Sequence, residues 1–154
     1  MGDGGNPPPP GDGSVVDAPP PDVILHAAAV SDYAPSNPEG GKRPKDKEPW
    51  TITLEPTDDV LAELGRRKHN GQILVGFAAE GGADGLERAR GKLANKNGNL
   101  FVYNDVSQPG VGFESEDNEI VLLSARGERK IGRRSKEECA VAILDEVEAL
   151  LGGA

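Results

Sequence analysis

Cys139 is the only cysteine in the sequence, which excludes an internal disulfide and a cysteine-rich metal site. Aromatic residues make up just 4% of the chain, so a core has to be built from Ala, Val, Leu and Ile. No stretch approaches the roughly 18 apolar residues that a membrane-spanning helix needs. The opening MGDGGNPPPPGDG lacks the basic and apolar regions of a signal peptide. A soluble, cytoplasmic chain without a membrane partner is expected. Basic residues are the minority, 17 Lys and Arg against 26 Asp and Glu, giving a formal net charge of −9. Such a surface repels polyanions and argues against nucleic acid as a partner. Neither a GxGxxG nor a GxxxxGK(S/T) phosphate loop is present, nor a GxSxG elbow. Their absence weighs against standard dinucleotide-binding, P-loop and hydrolase chemistry.

What is present divides the chain in two. Residues 1–21 hold seven of the thirteen prolines and five glycines, the composition of a disordered tail or linker. Residues 22–154 are expected to form one folded domain. Three continuous apolar runs, Val23 to Asp32, Ile73 to Gly82 and Asn99 to Ser107, suit strands covered on both faces. Thr51 to Glu55 alternates like a short strand. A helix is expected from about Asp58 to Lys68, with Thr57 and Asp58 as candidate caps. A second is expected over Asp84 to Lys96, closed by Gly98. Glu119 to Ile131 reads as a hairpin turning near Arg126 and Gly127. Ser135 to Leu151 is the clearest helix, with a Ser135/Glu138 capping box and an apolar stripe of Cys139, Ile143, Val147, Leu150 and Leu151. This alternation predicts an α/β fold, a three-layer, mostly parallel Rossmann-like sheet flanked by helices with a late antiparallel hairpin.

Ligands of open α/β sheets bind beyond the carboxyl ends of the strands. There the apolar runs deliver Asp32, Glu80, Asn104 and Asp105, and the small Ala27 to Ala29 and Ala78 to Ala79 admit a flat group, with Phe77 able to pack on a ring. Strand-end acids that merely cap the next turn explain the pattern equally well from periodicity alone. Arg88, Lys92 and Lys96 share a helical face at i, i+4, i+8, where like charges repel unless an anion answers them, and Asp84 is spaced to pair with Arg88 only. A phosphate clamp and a solvated helix end are both compatible with that stripe. Lys42, Arg43, Lys45 and Lys47 lie on a Pro/Gly-rich stretch after Asp32, either a closing loop or a solubilising one. His26 and His69 have no partner at metal-ligand spacing and read as structural. Cys139 reads as a buried hydrophobe.

The motifs HAAAVSDYAP, GKRPK, LEPTDDVLAEL, VGFAAE, ARGKLANK, NDVSQPGVGF, DNEIVLL and SKEECAVAILDEV, in that order, resemble the phosphopantothenate-cysteine ligase domain of the bifunctional coenzyme A biosynthesis flavoprotein, within the DNA/pantothenate metabolism flavoprotein C-terminal family. The resemblance covers about Asp22 to Leu151. It implies that CTP and a divalent metal, Mg²⁺, convert 4′-phosphopantothenate into an acyl-cytidylate, and that the amine of L-cysteine then displaces CMP. It implies a homodimer and nucleotide contacts from Ala27, Ala28, Ala29, Asp32, Lys42, Thr57, Asp58, Asp59, Val60, Phe77, Lys92 and Lys96. Lys42 carries the catalytic role, and no protein side chain is expected to hold the metal. The family's opening strand and glycine-rich turn have no counterpart, so residues 22–154 are expected to be a partial CTP-binding ligase domain. The alternative is a truncated nucleotide-binding or dimerisation module without ligase activity.

Overall fold

The computed structural model describes residues 19–38, 40–45, 47–82, 84–105 and 117–153. Most of the expected tail, and the Val106 to Phe113 part of the NDVSQPGVGF motif, lie outside the described residues. The elements run β1 (Val23–His26), β2 (Tyr33–Pro35), β3 (Leu54–Pro56), α1 (Val60–Arg67), β4 (Ile73–Glu80), α2 (Gly85–Asn95), β5 (Leu100–Asp105), β6 (Asp117–Ser124), β7 (Gly127–Ser135) and α3 (Lys136–Leu151).

The apolar runs form the parallel half of a five-stranded sheet ordered β1-β4-β5-β6-β7. Val23 lies opposite Ile73, and Val75 opposite Leu100. The hairpin continues the sheet antiparallel, Tyr103 facing Val121 and Ile120 facing Ile131. Side chains alternate across each strand, which sorts the core into two layers. Ile73, Val75, Leu100, Val102, Ile120 and Ile131 meet Cys139, Ala142 and Val147 of α3. On the other face Ala78, Phe101, Tyr103 and Leu123 meet Ala89 of α2, with Leu61 of α1 alongside. The α/β class and its three layers are as expected.

Several local expectations are corrected. The Thr51 to Glu55 strand is only Leu54–Pro56, and it pairs antiparallel with Tyr33–Pro35 in a separate small sheet; that second strand was expected to be loop. The cap of α1 is Asp59, whose carboxylate accepts from Ala62 N at 2.9 Å. Thr57 is used elsewhere, its hydroxyl donating to the Ser31 carbonyl. The left-handed residue after α2 is Asn97, with φ 51°, and not Gly98. Asn97 Nδ2 donates to Gly65 O at 2.9 Å, so this turn is tied to α1 by a side chain that glycine lacks. Gly98 has a different reason to be small. A Cβ there would lie 2.7 Å from the Phe101 ring. The α3 prediction holds in detail, since Glu138 N donates to Ser135 Oγ and Ser135 N to Glu138 Oε2. Leu151 of the expected stripe is exposed. Among the described residues no helix is long and apolar enough to cross a membrane.

Candidate functional site

A cleft of about 690 Å³ opens along the carboxyl edge of β1, β4 and β5, within the size range of small-molecule sites. Its first wall is the exposed segment Ala27 to Asp32, which leaves β1 with three methyl side chains in succession. Two hydrogen bonds fasten that segment to the start of α1: Thr57 N to Asp32 O at 3.0 Å, and the Thr57 hydroxyl to Ser31 O. Thr57, Asp58, Asp59 and Val60 thus form the second wall, at the amino end of α1, where unpaired amides and the helix dipole favour negative charge. Phe77 and Ala79 form the floor; Phe77 is 39% exposed despite its place in a central strand. Lys92 and Lys96 approach from α2.

Strand parity divides three of the four strand-end polar residues, Asp32 lying beyond the end of β1. Asn104 follows Val102 on the α3 face, whereas Glu80 follows Ala78, and Asp105 follows Tyr103, on the α2 face. Asp32 and Asn104 line the cleft; Glu80 and Asp105 do not. Glu80 instead answers the cationic stripe. Its Oε2 accepts from Arg88 Nε at 3.0 Å and its Oε1 accepts from Lys92 Nζ. The expected Asp84–Arg88 pairing is therefore replaced by Glu80, a residue eight positions upstream that only the fold brings near. Lys96 pairs with Asp59 across the gap between α2 and α1. The bond to Lys92 and the cations of Lys92 and Arg88 hold the Glu80 carboxyl below its ordinary range, against a smaller upward push from burial.

Lys42 does not line this cleft. It sits exposed on the segment between β2 and β3, where the Arg43 guanidinium stacks 4.8 Å above the Trp50 ring. Every other residue expected at the nucleotide site lines the cleft. The far wall was not anticipated: Asn118, Lys136, Ala140 and Ile143 join it from β6 and α3, with the buried Cys139 beneath them. Periodicity marks the apolar stripe of α3 but does not reveal that the helix covers the sheet face on which Val102 lies. Cys139 behaves as expected, its thiol donating weakly to Asn118 O at 3.8 Å and pushed up by burial.

The sequence of residues 14–151 matches the family model of the DNA/pantothenate metabolism flavoprotein C-terminal domain. The coenzyme A biosynthesis bifunctional protein CoaBC of Bacillus subtilis (strain 168) is 41% identical over 139 residues, 89% of this chain and 33% of its own. CoaBC of Vibrio vulnificus (strain CMCP6) is 36% identical over 133 residues, 85% of this chain and 33% of its own. A crystal structure of the C-terminal domain of CoaBC superposes with a TM-score of 0.64 at 33% identity, covering 86% of this chain and 56% of that one. A DNA/pantothenate metabolism flavoprotein from Streptococcus pneumoniae shares the fold, with a TM-score of 0.65 at 22% identity over 83% of this chain and 63% of its own. This chain thus spans about a third of the curated relatives it matches. With motif order, sheet topology and match all in agreement, the chain belongs to the DNA/pantothenate metabolism flavoprotein C-terminal domain family, that of the C-terminal domain of CoaBC.

Proposed function

We propose that the cleft binds CTP and that the domain serves the CTP-dependent joining of 4′-phosphopantothenate to L-cysteine in coenzyme A biosynthesis, in the cytoplasm. The observation that carries this reading is the convergence on one cleft of the residues expected at the nucleotide site, Lys42 aside. The 690 Å³ volume suits a nucleotide, with Phe77 offered to the base and Lys92 and Lys96 to the phosphates. Among the described residues, no group of three or more His, Cys, Asp or Glu side chains is placed to hold a metal. Mg²⁺ would be carried by the triphosphate oxygens and water and would neutralise charge on the phosphates.

In the first half-reaction a carboxylate oxygen of 4′-phosphopantothenate attacks the α-phosphorus of CTP. The bond to the β-phosphate oxygen breaks and pyrophosphate leaves. The cysteine amine then attacks the acyl carbon, the acyl–oxygen bond breaks, CMP leaves and the nitrogen loses a proton. Lys92 and Lys96 would supply fixed positive charge. Lys42 would act when its segment closes over the cleft, so Lys42→Gln should leave CTP binding nearly intact while abolishing amide formation. Equal product from both forms would defeat that role.

A second reading, a dimerising or nucleotide-binding module without turnover, is favoured by the outer edge of β1, which carries no strand among the described residues. The exposed Tyr33, Trp50, Ile52 and Leu54 offer an apolar surface for a homodimer. Pyrophosphate release with CTP, Mg²⁺, 4′-phosphopantothenate and cysteine separates the readings. Release supports ligation. Nucleotide-dependent thermal stabilisation without release supports the module.

A further inference from the structure

Asn104 stands out from its surroundings because its carboxamide oxygen is buried and has no hydrogen-bond partner among the described residues. The neighbours that flank it in register are Ala79 on β4 and Ile120 on β6, and neither side chain can donate. Buried polar atoms are nearly always satisfied, and an orphan calls for a physical reason. Asn104 belongs to the cleft lining, so the missing partner need not come from the protein.

The register says what stands before it. Phe77 pairs with Val102 and Ala79 with Asn104, and by parity all four side chains share the α3 face. Asn104 is therefore the diagonal neighbour of Phe77, one strand across and two residues along. The intervening Ala79 is too small to block the path. A pyrimidine lying over Phe77 and Ala79 meets Asn104 with its edge.

We propose that Asn104 reads the nucleobase, its carboxamide oxygen accepting a hydrogen bond from the exocyclic amino group of cytosine. The inference rests on the nucleotide reading of the cleft and adds a residue that selects the base. Uracil places a carbonyl where cytosine has its amine, which sets acceptor against acceptor and leaves the Asn104 oxygen without that donor.

The test uses the full chain with Mg²⁺, measuring CTP and UTP affinity by calorimetry and the thermal midpoint without nucleotide, for wild type and Asn104→Leu. Leucine keeps the volume and removes the orphan, so the nucleotide-free midpoint should hold or rise. CTP should bind about tenfold more weakly to the variant, and the wild-type preference for CTP over UTP should shrink towards unity. A falling midpoint with CTP affinity intact would make Asn104 structural and overturn the proposal. Unchanged CTP affinity with a raised KM for cysteine in the ligation assay would assign the acceptor to the amino-acid amine and also overturn it. If wild type binds neither nucleotide, the reading of the cleft itself fails, a result distinct from loss in the variant alone.

Discussion

Lys92 and Glu80 meet over the end of β4, the ammonium donating to one carboxylate oxygen while Arg88 donates to the other. The cationic face of α2 is thus already answered from within, and a triphosphate arriving in the cleft has to share Lys92 with Glu80. Glu80→Gln removes the competing charge and keeps the shape. CTP affinity at low salt should rise by about 2- to 5-fold, the worth of one half-exposed ion pair, and the gain should fade as ionic strength increases. Weaker or unchanged binding in a calorimetric titration would mean that Glu80 positions Lys92 for phosphate.

The same contact sets a pH dependence. Glu80 in the folded chain titrates below its ordinary range because Lys92 and Arg88 favour the carboxylate. A depressed folded pKa contributes stability above the unfolded value, and that contribution is lost as pH falls through the folded one. Stability should therefore decline from about pH 4 downwards. In Glu80→Gln the decline should be shallower over that window, as read from chemical unfolding midpoints at stepped pH. Parallel curves for the two proteins would remove Glu80 from the acid response.

Gly76 and Gly98 press on one ring. A Cβ at Gly76 would lie 2.7 Å from the tip of Phe101, and one at Gly98 would lie 2.7 Å from its side. Phe101 is fully buried, so the ring has nowhere to retreat. Gly76→Ala should cost about 1–3 kcal/mol through overpacking, or roughly 2–9 °C in midpoint for a chain of this size. Phe101→Leu, destabilising alone, should recover part of that loss in the Gly76→Ala background. Simple addition of the two costs would show that the ring is not what the methyl meets.

How much of this was legible in the sequence depends on the range of the interaction. The second apolar run, the hairpin turn before Gly127 and the Ser135/Glu138 box are local signals, and each appears where the residues placed it, whereas the first run stops being strand at His26 and its remainder, Ala27 to Asp32, is exposed. The left-handed Asn97 escaped because its reason is a hydrogen bond to Gly65, 32 residues away. The strand at Tyr33–Pro35 escaped because it exists only through its partner Leu54–Pro56, and a proline at the end of each strand disguises the pair. In the cleft, the strand-end rule brought forward Asp32, Glu80, Asn104 and Asp105 together. Which of the last three face the cleft is a matter of parity against a core that only the folded sheet defines, and it left Glu80 with α2 and Asn104 with the cleft.

Asp59 carries two duties that a pair of substitutions can separate. Its Oδ1 caps α1 through Ala62 N at 2.9 Å, and its Oδ2 pairs with Lys96. Asparagine is as good a cap as aspartate, so Asp59→Asn should keep α1 anchored while releasing Lys96. Asp59→Ala loses both and should cost about 0.5–2 kcal/mol. The thermal midpoint should order wild type close to Asp59→Asn and well above Asp59→Ala. If Lys96 serves phosphate, Asp59→Asn should also bind CTP at least as tightly as wild type, because the released ammonium is then free for the triphosphate. If CTP binding falls in Asp59→Asn while the midpoint holds, the carboxylate itself belongs to the nucleotide site, and Lys96 is there to hold Asp59 in place rather than to meet the phosphates.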